Sequence, residues 1–272
     1  LLGIISLRYY GILFGLGIFS GYFIAKKLSI MKGFDIKILD KALLFVVIGI
    51  VIGAHLIHLV FYEPESFINN PIRIIEIGSG LASHGGILGA FLGFFIYSKI
   101  NKNINFWEYV DIIVVSGSIA APFIRLGNFF NSEIYGIKTD LPIGIIFKRA
   151  GETIPRHPTQ LYEMVIGIFI FLFLYYFYKK NHTKIKNATI FLIFMILYFT
   201  LRFLIEFLKE YQGIDNNLFL TMGQFLSLPF ITAGLFIFIY KKFYLINLQK
   251  KWNIVIMITV FYSEVFMKKY FT

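Results

Sequence analysis

The chain has 272 residues, 58% of them hydrophobic, and a mean hydropathy of +0.75. Several apolar runs approach spanning length, which makes it a polytopic helical membrane protein rather than a water-soluble domain. There is no cysteine, which excludes a disulfide framework, a thiol nucleophile and a thiolate metal site, and the net charge of +11 reads as lysine beside anionic lipid rather than as nucleic-acid binding.

Seven spans are predicted, roughly Tyr9–Ala25, Ala42–Tyr62, Gly85–Ser98, Tyr109–Ile124, Leu161–Tyr178, Ala188–Phe207 and Leu218–Tyr240. The third and fourth are short against the roughly 20 helical residues that a bilayer needs. Leu1 to Ser6 lack a charged start and a cleavage site, so no removable signal peptide is expected. A last apolar run, Ile254–Phe266, carries Glu264 and reads as an interfacial helix or partial span. The expected organisation is an all-α transmembrane domain over 1–240 and a cytoplasmic or interfacial extension over 241–272. The polar stretch from Tyr135 to Arg156 is expected to form a small extracytoplasmic cap.

Alternate connections carry the lysines: Lys26 to Lys41, Lys99 and Lys102, Lys179 to Lys186, and those from Lys241 onward. The positive-inside rule makes that side cytoplasmic and puts the N-terminus outside. All six arginines fall on the other side. Arginine offers a planar fork suited to phosphate, so this partition predicts an outward-facing anion site.

The densest polar stretch runs from Arg125 through Gly127, Asn128, Asn131 and Glu133 to Gly136. Helix capping by Asn128 or Asn131 explains either residue alone but not the cluster. Ser83, His84, Gly85 and Gly86 open the third span, where the glycines permit close helix approach and His84 is a candidate base. Before the fifth span, Pro158, Thr159 and Gln160 read as a capping arrangement, with His157 and Glu163 as supporting groups. Tyr198, Arg202 and Glu206 are spaced i, i+4, i+8 and share a helix face, so Glu206 is the expected partner of Arg202. Tyr9 and Tyr10 read first as interfacial anchors, with Tyr10 a candidate bundle-facing donor. His55 and His58 lie one turn apart, but no third ligand is near and no metal site is expected.

These motifs resemble those of the prolipoprotein diacylglyceryl transferase family. Its signature Gly-Arg-x-Gly-Asn-Phe-apolar-Asn-x-Glu-x-x-Gly runs here from Ile124 to Gly136, with Ile124 replacing the leading glycine. The His84-Gly85-Gly86 step, the segment His157 to Glu163, the Tyr198/Arg202/Glu206 spacing and Tyr10-Gly11 also match, over roughly Tyr9 to Tyr240. Ser79-Gly80 stands where the family usually has two glycines, and His55 where it commonly has arginine.

The resemblance implies transfer of the diacylglyceryl group of phosphatidylglycerol to the lipobox cysteine of a prolipoprotein signal peptide. A thioether forms and glycerol-1-phosphate leaves. On this reading His84 deprotonates the thiol, and Arg125 and Arg202 clamp the phosphate. Asn128, Asn131 and Glu133 bind the glycerol headgroup or hold the arginines, while Tyr10 and Tyr198 support. No cofactor is implied, and a monomer is expected. The alternative is a non-enzymatic lipid carrier or transporter with an outward-facing anion site. Against it, the polar residues gather at one boundary and do not run through the bilayer. An acyltransferase or phospholipase built on His84 lacks a serine nucleophile motif.

Overall fold

A computed structural model describes residues 9–61, 63–76, 82–101, 104–210 and 220–244. Arg8, Ser79-Gly80, the run at 254–266 and most of the 241–272 extension lie outside the described residues, as do the side chains of Ser83 and His84.

The described residues form α1 (Tyr9–Lys32), α2 (Ile36–Phe61), the short α3 (Pro64–Asn69), α4 (Ser83–Ile100), α5 (Phe106–Ser118), α6 (Ala120–Asn131), α7 (Thr159–Asn181), α8 (Thr189–Ile205) and α9 (Met222–Tyr244). Among them, six helical stretches are long and apolar enough to cross a membrane, α5 and α6 counting as one stretch, and α4 is a shorter apolar helix. That matches the seven expected segments. At 18 residues α4 is longer than predicted, and at 1.5 Å per residue it measures about 27 Å.

The fourth span differs most from expectation. It runs over Phe106–Asn131, not Tyr109–Ile124, because the signature residues continue the helix. It breaks at Ile119, between α5 and α6. Pro122 lacks an N–H, and its ring opposes the carbonyl of Ser118 four residues back. The hydroxyls of Ser116 and Ser118 also donate back to Ile113 O and Val115 O, which favours bending.

The chain divides into two compact units, residues 24–112 and residues 1–23 with 113–272. In the first, α2 packs on α4 through glycines at four-residue spacing. A Cβ on Gly49 would strike the Gly89 carbonyl, one on Gly53 the Gly85 carbonyl, and one on Gly93 the Phe45 carbonyl. Backbone therefore touches backbone, the packing that small-xxx-small patterns permit between membrane helices. Gly85 serves this contact, whereas Gly86 meets Ala54 at an ordinary 3.7 Å.

In the second unit, α8 packs on α9 around Met195, Phe199 and Ala233. The Phe199 and Phe230 rings stack with centroids 4.2 Å apart. A small segment, irregular except for one 3-10 turn at Lys148–Ala150, joins α6 to α7. It is tied down by bridges of Lys138 and Ile145 to Arg156, and of Gly136 to Lys209. Phe147 is buried there against the Tyr135 ring at 5.1 Å. Arg156 bonds Glu152 through two nitrogens at 2.9 and 3.2 Å and holds its carboxyl below the usual carboxylate range. The Tyr135 hydroxyl donates to the same carboxylate at 2.8 Å.

Replacing Gly89 by leucine is expected to separate α2 from α4, costing on the order of 1–3 kcal/mol or more. Thermal unfolding in detergent measures the loss.

Candidate functional site

Helix α6 carries the signature because its chain stays helical to Asn131 and then stops sharply. Ser132 takes a left-handed conformation with φ 59°. Its N–H bonds Phe129 O at 3.0 Å, and the Glu133 N–H bonds Asn128 O at 2.9 Å. This Schellman-type ending satisfies the last carbonyls through backbone, so the asparagine side chains are free for other work. Asn128 donates to Glu133 at 3.3 Å and Asn131 to the same carboxylate at 3.0 Å. Ile134 also has positive φ, 58°, an unusual conformation for a β-branched residue.

The Pro158–Gln160 segment does not cap α7 with its side chains, as the sequence suggested. The Thr159 hydroxyl instead donates to Ile134 O at 2.9 Å, and Gln160 Nε2 to Glu133 O at 2.6 Å. Both side chains tie the start of α7 to the end of α6. Gly136 lies where this tie is tightest: a Cβ there would collide with Leu208 O, and would lie 2.6 Å from His157 Cβ. The His157 ring contacts the Tyr162 hydroxyl at 3.1 Å.

The centre of the site is Glu163, on the second turn of α7. Arg125 Nε lies 3.1 Å from its Oε2, Arg202 Nη1 3.2 Å from Oε1, and Lys209 Nζ 2.9 Å from Oε1. All four side chains are 10% exposed or less. Glu206 pairs with Lys209 at 3.2 Å. The sequence placed Glu206 as the holder of Arg202. The structure gives that work to Glu163, which reaches across from the neighbouring helix, and Lys209 links the two carboxylates. Lys209 was not among the expected site residues. Its signal was available: it is one of few lysines on the arginine side of the predicted topology, three residues after Glu206.

Arg125 Nη1 also donates to Asn128 Oδ1 at 3.4 Å, joining the cluster to Asn128, Glu133 and Asn131. The Tyr10 ring lies over α6 at Gly127, where a Cβ would meet it at 2.8 Å. Arg125, Glu163, Tyr198 and Arg202 line a small open cleft together with Ala121, Ile166, Gly167, Leu201 and Ile205. Two guanidiniums thus face a largely apolar cleft. Tyr198 is held there by stacking on Phe194 at 5.1 Å.

His55 and Gly85 belong to the other unit, as does the helix position of His84. His55 is 1% exposed and its Nε2 contacts Arg73 O at 2.9 Å. His58 meets Glu63 at 3.2 Å, and Glu63 pairs with Arg73 at 2.6 Å. These histidines bind the end of α2 to the segment that follows it. Among the described residues no cluster of three or more metal-ligating side chains forms.

A bundle of membrane-spanning helices that holds a buried cluster of cations around one carboxylate defines a polytopic integral membrane protein. A model of the prolipoprotein diacylglyceryl transferase family matches residues 1–240. The chain is 38% identical over 253 residues to the phosphatidylglycerol–prolipoprotein diacylglyceryl transferase of Bacteroides fragilis, covering 88% of this chain and 91% of that protein. It is 37% identical over 236 residues to the enzyme of the same name from Tolumonas auensis, with 86% and 91% covered. The chain belongs to the prolipoprotein diacylglyceryl transferase family.

Glu163→Gln is expected to leave three buried cations short of charge. Stability should fall by about 3–5 kcal/mol, the usual cost of removing one partner from a buried ion pair. Thermal unfolding in phosphatidylglycerol-free detergent is the measurement.

Proposed function

We propose that the Glu163-centred cluster binds the phosphate of phosphatidylglycerol. The reaction is transfer of its diacylglyceryl group to prolipoproteins. The carrying observation is charge balance. Arg125, Arg202 and Lys209 are three cations against Glu163 and Glu206, two carboxylates. Among the described residues this buried set carries one positive charge in excess, and a phosphodiester brings one negative charge. The apolar cleft walls suit the acyl chains of the same molecule.

In the chemistry, the lipobox cysteine attacks the glyceryl carbon bonded to the phosphate oxygen. The C–S bond forms, the C–O bond breaks, and its electron pair leaves on glycerol-1-phosphate. The thiol proton must go to a base, because thiolate is the nucleophile and a free thiol of pKa about 8.5 is mostly protonated at neutral pH. His84 is that base. As the C–O bond breaks, charge grows on the phosphate, and Arg125 and Arg202 stabilise it from fixed positions. Asn128, Asn131 and Glu133 take the glycerol headgroup, with Tyr10 and Tyr198 as supporting donors. Gly127 and Gly136 hold the site's framework, and His157 steadies the approach to α7 through Tyr162.

The lysine-rich connections support a cytoplasmic assignment for their side of the membrane, and so an active site toward the outer leaflet with the N-terminus outside. The segment over 135–156 is then an extracytoplasmic cap. The family match to residues 1–240 supports a transferase domain of that extent, with 241–272 as a separate extension. A monomeric enzyme completes this proposal.

Purified protein in phosphatidylglycerol micelles is expected to add a diacylglyceryl mass to a lipobox peptide, and none to its Cys→Ser form. Arg125→Ala and Arg202→Ala should each reduce the rate by about 100-fold or more, by loss of an oxyanion-type contact. Near-normal rates in folded variants would refute the phosphate clamp. His84→Ala should be most impaired at neutral pH. Its deficit should narrow as pH rises past the thiol's own pKa of about 8.5, where thiolate forms unaided. A deficit independent of pH would remove His84 from the base role.

A further inference from the structure

We infer that Gly223, in the first turn of α9, is a positioning residue for the anion site, acting through the carboxylate of Glu206. The inference rests on the phosphate-clamp reading above. A Cβ at position 223 would collide with Glu206 Oε1 and lie 2.7 Å from Oε2. The Glu206 carboxylate therefore rests directly on the α9 backbone, at the end of the helix where the dipole favours negative charge. Its other side faces Lys209 Nζ at 3.2 Å. Lys209 in turn touches Glu163, and Glu163 holds Arg125 and Arg202.

The first turn of α9 is fixed independently. The Thr221 N–H donates to Gln224 Oε1 at 3.0 Å, and the Gln224 N–H to Thr221 Oγ1 at 3.2 Å. That reciprocal arrangement is a capping box. Gln224 is 1% exposed, and the Ser227 hydroxyl bonds Gly223 O at 2.7 Å. The turn has little freedom to retreat, so a side chain at 223 moves the carboxylate instead. The carboxylate is the far end of a flexible side chain, so this displacement is cheap for the fold. It is costly for the site, because Lys209 follows the carboxylate and Glu163 loses a partner.

Gly223 is helical and does not have positive φ, so alanine meets no backbone strain there. In an ordinary helix interior, Gly→Ala raises stability. Gly223→Ala should therefore keep or raise the thermal midpoint while cutting the transfer rate about tenfold or more. A helix-packing role would move both together. The discriminating experiment is a double-mutant cycle with Glu206→Asp, which withdraws the carboxylate by one methylene. Glu206→Asp should slow the wild-type enzyme, yet in the Gly223→Ala background it should raise the rate about fivefold, as expected for contacting residues.

Transfer is read with the lipobox peptide in phosphatidylglycerol micelles, beside unfolding midpoints. Full activity in Gly223→Ala overturns the inference, as does a double variant no faster than Gly223→Ala. If Gly223→Ala fails to fold, recovery of folding in the double variant supports the contact, and no recovery overturns it. Arg125→Ala and Arg202→Ala run alongside. Their retention of activity would sink the clamp itself, whereas their loss with an active Gly223→Ala would sink only the role of Gly223.

Discussion

One buried carboxylate sets the geometry on which the site depends. Glu163 meets Arg125 from α6, Arg202 from α8 and Lys209 from just beyond α8. Three cations so close would repel each other strongly in a medium poor in water, and each would carry a large desolvation cost. A single carboxylate between them makes the arrangement possible. Glu206 adds a second carboxylate through Lys209, so among the described residues three cations share two carboxylates. A cluster held this way is preorganised, and under the proposed function the cations are in place before the phosphate they would stabilise arrives.

The connections between helices are as important to this geometry as the helices. The end of α6, the start of α7 and the end of α8 are joined by backbone bonds at Gly136 and His157, and by Ile137 and Leu208. The side chains of Thr159 and Gln160 add two more ties, both to carbonyls of the segment after α6. Glu133 to Gly136 must lie close against other backbone to allow this, which explains the missing Cβ at Gly136. The same path includes the positive φ of Ile134, a local cost sustained by the surrounding bonds. Glycine has a different use in the 24–112 unit. There it brings α2 and α4 into backbone contact, the route to tight packing where lipid removes most of the hydrophobic driving force between helices.

His55 has a structural place in the 24–112 unit. It is buried and occupied with the Arg73 carbonyl. Here it secures the segment after α2, and permanent positive charge in this part of the chain is supplied by Arg73, itself paired with Glu63.

The sequence by itself determined the class of protein, the approximate spans and most of the polar residues that gather around Glu163. Apolar runs of spanning length have few structural alternatives in a bilayer, and a dense group of arginine, asparagine and glutamate at a membrane boundary is costly without a ligand. The spacing of Tyr198, Arg202 and Glu206 was legible because helical periodicity is local. The partner of Arg202 was not legible: Glu163 is 39 residues away in the chain, and Lys209 reaches the same carboxylate across 46. Local spacing favoured Glu206, but tertiary packing brought a nearer carboxylate from another helix. The continuation of α6 through Asn131 was also hidden, because polar residues inside a helix read from sequence as its end. Only the tertiary structure decided which charges meet, since ion pairing depends on distances of a few ångströms between segments that the chain order leaves far apart.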